Sequence, residues 1–134
     1  MLQCIVVTPE RTLFDQPAEF VALALFDGEI GIAPGHTPLV GRLGCGEMRI
    51  RREGQTDRYY VEGGFVEVQG DVVSVLTQRA VPAAEIDEAV AQEQLASARS
   101  RAAATPEAVA VRDRVVEQSR AQLRVARRAH EERG

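Results

Sequence analysis

The sequence predicts an α+β protein, an N-terminal antiparallel β-sandwich (flattened barrel) followed by a C-terminal antiparallel two-helix hairpin. Three observations predict it. The first is a change of composition at Pro82. Before it lie all of the 11 glycines except Gly134, the four phenylalanines and both tyrosines; after it the chain is rich in Ala, Glu, Gln and Arg, which favour helix. The second is a series of short β-branched runs separated by turn residues, as an antiparallel sandwich requires. The third is Thr105-Pro106-Glu107, a helix-start signal so close behind the preceding helical segment that an antiparallel hairpin is favoured. The domains expected are therefore residues 1–81 and 82–134.

The elements follow in order. Cys4 to Thr8 is a β-branched strand ended by Pro9. Phe20 to Phe26 is apolar on both faces. One face enters the sandwich core, and the other needs cover from the chain's own helices or from a partner protein. Met48 to Arg51 alternates apolar and basic side chains, the pattern of a half-solvated strand. Phe65 to Gln69 and Val72 to Thr77 flank Gly70-Asp71, a two-residue hairpin turn. One helix is expected from about Ala83 to Ala103 and a second from about Pro106 to Glu131. Thr105 caps the second helix, Pro106 fills its first position, and Glu107 lies at the positive end of its dipole. Val109, Val116 and Leu123 recur at seven-residue spacing, but Arg112 and Ser119 interrupt the seam between them. So small an apolar investment makes docking of the hairpin on the sandwich marginal, and the expectation is that the hairpin can leave it.

Composition excludes several classes of function. A net charge of −4 argues against nucleic acid as a partner. All 16 basic residues are arginine, which removes Schiff-base chemistry and the lysine of a phosphate-binding P-loop. Cys4 and Cys45 form no CxxC pair and suit reduced, buried thiols. The sequence opens without the basic segment of a signal peptide, and its longest apolar run, Phe20 to Phe26, is far too short to span a membrane. The two histidines, His36 and His130, neighbour no nucleophile or metal-ligand pattern. No catalytic, metal or cofactor site is expected.

What stands out is Asp27-Gly28-Glu29-Ile30-Gly31-Ile32-Ala33-Pro34-Gly35-His36-Thr37-Pro38-Leu39. Its glycines and prolines build a rigid loop around one polar side chain, His36. The stretch resembles the GELGI-x-PGH-x-PL signature of the epsilon subunit of F-type ATP synthases. Tyr60-Val61-Glu62-Gly63-Gly64-Phe65-Val66-Glu67-Val68 resembles that family's second signature, an aromatic-led strand, a double glycine and an apolar-Glu-Val strand. The resemblance runs from about Val6 to about Ala80 and weakens in the tail.

The resemblance implies a non-catalytic rotor component that binds the gamma subunit of the central stalk and rests on the c-ring, coupling ion flow to ATP synthesis. It implies a place on the cytoplasmic face of the inner membrane, held there by partners. It assigns Glu29 and His36 to the side facing the ring. From the residues alone, His36 equally serves to stiffen its own loop, and Glu29 equally reads as a solvated strand residue. The resemblance also makes the helical tail a brake on ATP hydrolysis that reaches the catalytic alpha/beta head. Arg120, Arg124, Arg127 and Arg128 are the residues placed to meet an acidic surface there, or else they form a solvated basic face. Some members bind ATP through an I/L-D-x-x-R-A motif. This sequence keeps Ile86, Asp87 and Ala91 but has Val90 in place of the arginine, so weak or no ATP binding is expected. The competing readings are a freestanding β-sandwich recognition module using the strand Phe20 to Phe26, and an ATP-sensing subunit.

Overall fold

The computed structural model describes residues 1–133 and divides into two compact units, Met1–Pro82 and the helical remainder from Ala83. The first unit is built from nine strands: β1 (Leu2–Val7), β2 (Thr12–Ala18), β3 (Phe20–Leu25), β4 (Gly28–Ile32), β5 (Leu39–Arg52), β6 (Gln55–Glu62), β7 (Phe65–Gln69), β8 (Val72–Leu76) and β9 (Ala80–Pro82). They form two layers. One runs β2-β1-β8-β7 and on to the first part of β5. The other runs β4-β3 to the second part of β5, then β6 and β9.

The sheet departs from the expected pattern in one pairing. β1 and β8 lie parallel, Gln3 opposite Val72 through Val7 opposite Leu76. The β1–β2 hairpin and the β7–β8 hairpin abut with strands that happen to run the same way; sequence-distant neighbours are free of the antiparallel constraint that a tight turn imposes.

The 14 residues of β5 belong to both layers. In its first part Leu39 and Leu43 face inward, at odd positions; in its second part Met48 and Ile50 do, at even positions. An irregularity opposite Leu23 to Leu25 changes the phase, which is how a bulge re-aims a strand. Gly44 and Gly46 occupy this crossing because nothing larger fits. A Cβ on Gly44 would meet the Leu25 carbonyl oxygen at 3.0 Å, and one on Gly46 would meet the Ala24 Cβ at 2.8 Å.

The core between the layers is aliphatic, as the scarcity of aromatics requires. Leu2, Cys4 and Val6 meet Val21, Leu23, Ile32, Met48, Ile50, Val61, Val66, Val68, Val73 and Val75, all but sealed from solvent. Truncating Leu23, Met48 or Ile50 to alanine costs about 2–5 kcal/mol by transfer and cavity terms together. Cys4 is buried as expected, and burial pushes its thiol up to about 12, with a smaller contribution from Asp15; Cys45, expected to be buried, is only half-buried where β5 passes between the layers.

The second unit has a 3₁₀ turn at Ala83–Glu85, then α1 (Glu88–Ser100) and α2 (Pro106–Arg133). The first helix starts later than the expected Ala83. Asp87 takes the cap position, its carboxylate accepting from Ala89 N at 3.0 Å and Val90 N at 3.2 Å. The helix also ends before Ala103, because Arg101 is extended. At the start of α2, Thr105 Oγ1 accepts from Ala108 N at 3.1 Å, satisfying an N–H that has no partner within the helix. Ala91, Leu95, Val116 and Leu123 pack between the two helices. Ser119, expected to interrupt the seam, is buried; its small side chain fits where a charge would not.

Candidate functional site

His36 sits in the loop between β4 and β5, at one end of the sandwich. Its backbone N–H closes a turn on Ala33 O at 3.1 Å. Its ring Nδ1 lies 2.7 Å from Thr37 O, and since a carbonyl only accepts, the ring donates from Nδ1 there. That leaves Nε2 as the ring's remaining polar atom. Gly35, at φ +84°, donates its N–H to Asp71 Oδ1 at 3.0 Å. Asp71 belongs to the turn between β7 and β8, and its carbonyl accepts from Gln3 N at 2.7 Å. The loop, the hairpin turn and the start of β1 therefore meet at one carboxylate residue.

Glu29 lies elsewhere. It stands on β4 opposite Ala24, and Arg49 Nη2 approaches its Oε1 at 2.6 Å. Arg49 also donates to Glu47 Oε1 at 2.9 Å, which Arg58 reaches at 2.9 Å as well. These side chains form a charged ladder across β4, β5 and β6. The bonds to Glu29 and then to Glu47 hold the Arg49 guanidinium above its ordinary value. The ion pair draws Glu29 to the flat of the sheet, whereas His36 projects beyond the end of β4.

Arg120, Arg124, Arg127 and Arg128 are exposed along α2. Ala121, Gln122, Leu123, Val125, Ala126 and Ala129 take the buried positions between and beside them. A helix turning 100° per residue thus presents one basic face and buries the other.

Two features were not read from the sequence. One is the Asp71 junction, for which Gly70-Asp71 signals only a turn. The other is an apolar area on the outside of the first layer. Val40 is 72% exposed, Phe26 67%, Phe65 57% and Leu76 53%. Arg42 pairs with Phe65, Phe65 with Leu76, and the Arg42 guanidinium lies 5.9 Å over the Phe26 ring. So many bare apolar side chains around one cation mark a protein-contact surface. The signal was present: Val66 and Val68 point inward, so strict alternation turns Phe65 out. In the strand Phe20–Leu25 the free surface lies at the ends: Phe20 is exposed and Ala24 and Leu25 are half-buried, while Val21 and Leu23 are sealed. Ala22 is buried, and the Phe20 ring lies against Gly31.

At the start of α1 two of the backbone donors that could meet a phosphate, Ala89 N and Val90 N, are taken by Asp87, and the Val90 side chain is exposed with no charge to offer.

A sandwich with a sheltered core, a bonded end loop and a bare apolar flank defines an assembly subunit, and the comparisons specify which. The family model described as ATP synthase, Delta/Epsilon chain, beta-sandwich domain matches residues 1–83. The ATP synthase epsilon chain of Rhodopirellula baltica is 46% identical over 126 residues, covering 94% of this chain and 98% of that relative. The epsilon chain of Nitrosococcus oceani is 43% identical over 122 residues, covering 90% of this chain and 82% of that one. Among solved structures, a chain in the cryo-EM structure of Euglena gracilis mitochondrial ATP synthase (OSCP/F1/c-ring in rotational state 1) superposes with a TM-score of 0.75 at 26% identity, covering 99% of this chain and 81% of that one. This chain belongs to the ATP synthase epsilon chain family.

Proposed function

We propose that the chain is the non-catalytic epsilon subunit of a rotary ATP synthase, turning with the rotor and coupling ion flow to ATP synthesis. The observation that carries this is the 46% identity to an ATP synthase epsilon chain over nearly the full length of both sequences. The apolar area of Phe26, Val40, Phe65 and Leu76, with Arg42 among them, is the surface for the gamma subunit of the central stalk. The end loop bearing His36 rests on the c-ring, where its prolines and internal bonds keep it stiff. Glu29, held by Arg49 on the sheet away from that loop, is a separate contact with the ring. The chain is held by these partners on the cytoplasmic face of the inner membrane; no described helix is long and apolar enough to cross one.

The helical unit supplies regulation. In this reading it acts as a brake on ATP hydrolysis, with Arg120, Arg124, Arg127 and Arg128 facing acidic surface on the catalytic alpha/beta head. The test of the whole reading is depletion and restoration. Complex stripped of this chain loses ATP-driven ion uptake, and the purified chain restores it while co-purifying with gamma. Full coupling without the chain refutes the proposal.

A further inference from the structure

The loop that carries His36 is exposed and spans only six residues, 33–38, between two strands. Its turn bond to Ala33 and the ring bond to Thr37 are both internal to it. They shape the loop without fixing it to the sandwich. What fixes its tip is the bond from Gly35 N to Asp71 Oδ1, formed across 36 positions of sequence. Asp71 is itself held, since its carbonyl takes the N–H of Gln3 and the flanking strands β7 and β8 pair from Phe65 opposite Leu76 to Gln69 opposite Val72. Gly35 sits at φ +84°, a conformation that glycine adopts without the penalty a Cβ would bring.

We infer that Asp71 is a positioning residue: its carboxylate sets the angle of the His36 loop against the sandwich, so that the loop and the β7–β8 turn present one docking surface. A carboxylate accepting from a backbone amide is a charge-assisted bond, stronger than the neutral kind. At an exposed end it holds the loop in one orientation where two prolines alone would leave the whole segment free to pivot about its ends. The partner-facing part of this inference rests on the proposed docking of the loop on the c-ring.

The test compares Asp71→Ala, Asp71→Asn and Thr37→Trp in the full chain. Asparagine keeps an oxygen acceptor at the same place, and the tryptophan obstructs the loop surface without touching the tether. Amide hydrogen exchange at Gly35 is expected to speed up roughly tenfold in Asp71→Ala and to return towards the parent rate in Asp71→Asn. In complex depleted of its epsilon chain, the concentration needed to restore ATP-driven ion uptake is expected to rise roughly tenfold for Asp71→Ala and for Thr37→Trp, with Asp71→Asn close to the parent. Unchanged Gly35 exchange in Asp71→Ala overturns the inference. Faster exchange with an unchanged requirement, while Thr37→Trp raises it, also overturns the inference but leaves docking by the loop intact. No effect of Thr37→Trp overturns the docking reading and the inference with it.

Discussion

Replacing each half of the Gly63-Gly64 pair by alanine separates conformational cost from crowding. Gly63 has φ +66° and open space where a Cβ would go. Gly63→Ala therefore costs only the left-handed conformation, about 1–2 kcal/mol. Gly64 has φ +101°, and its Cβ would lie 1.9 Å from the Leu76 carbonyl oxygen and 2.8 Å from Thr77 Cα. Backbone atoms cannot swing aside as a side-chain tip does, and non-bonded contacts need about 3.5 Å. Relief requires the start of β7 to part from β8. That strains the bond from Leu43 N to Gly64 O, 2.9 Å, and the neighbouring ladder, at about 1 kcal/mol for each bond lost. Gly64→Ala should thus cost at least about 3–4 kcal/mol, a large share of the 5–15 kcal/mol typical of a domain. Urea unfolding followed by tyrosine fluorescence measures it selectively, because Tyr59 and Tyr60, both in β6, report on the sandwich alone. Equal destabilisation by the two substitutions, within about 0.5 kcal/mol, refutes the argument from close approach.

Four further outcomes are expected. The raised Cys4 thiol keeps its proton in the folded chain while the unfolded chain loses it from 9.0 upward, so stability is fully present below pH 9.0 and falls towards pH 12. Its slope should approach about 1.4 kcal/mol per pH unit more than in Cys4→Ala about one unit above 9.0, measured by unfolding at pH 10–11; parallel curves contradict it. Phe65→Glu places a charge in the exposed apolar flank, so the full chain should lose co-purification with gamma while its circular dichroism spectrum is unchanged. Isothermal titration should detect no micromolar ATP binding, since Asp87 occupies two of the helix-start donors and Val90 lacks the charge-assisted bond that is worth about 1.5–3 kcal/mol. Ending the chain near Ala80 should raise ATP hydrolysis by the assembled complex if the helical unit is its brake; unchanged hydrolysis removes that role.

Much of the fold was legible where local chemistry and final structure agree. Thr105-Pro106-Glu107 started a helix because capping and φ preference act within a few residues. Gly70-Asp71 turned β7 into β8 for the same reason. Strand β2 was not legible: Thr12 to Ala18 has a polar middle and Pro17, and it becomes a strand only by pairing with β1 at the edge of the layer. Nor was the length of β5, because a bulge reverses its facing halfway and destroys the period-2 signal over the whole. The later start of α1 was hidden for a different reason. Asp87 was read as the second residue of a motif, and its capping bonds depend on a 3₁₀ turn that helix propensity alone does not forecast. At the candidate site, the loop around His36 was legible from its prolines and glycines. The tether to Asp71 and the pairing of Glu29 with Arg49 were not, because each joins residues far apart in sequence.

The crossing of β5 from one layer to the other has a mechanical consequence. In a sandwich whose leaves touch only through side chains, shear between them is resisted by packing alone, and packing slips. Here a single covalent backbone is woven into both leaves, Leu39 to Arg42 on one side and Cys45 to Arg52 on the other. A twist applied at the outside of one leaf is therefore carried through peptide bonds to the opposite leaf, and the body turns as a solid.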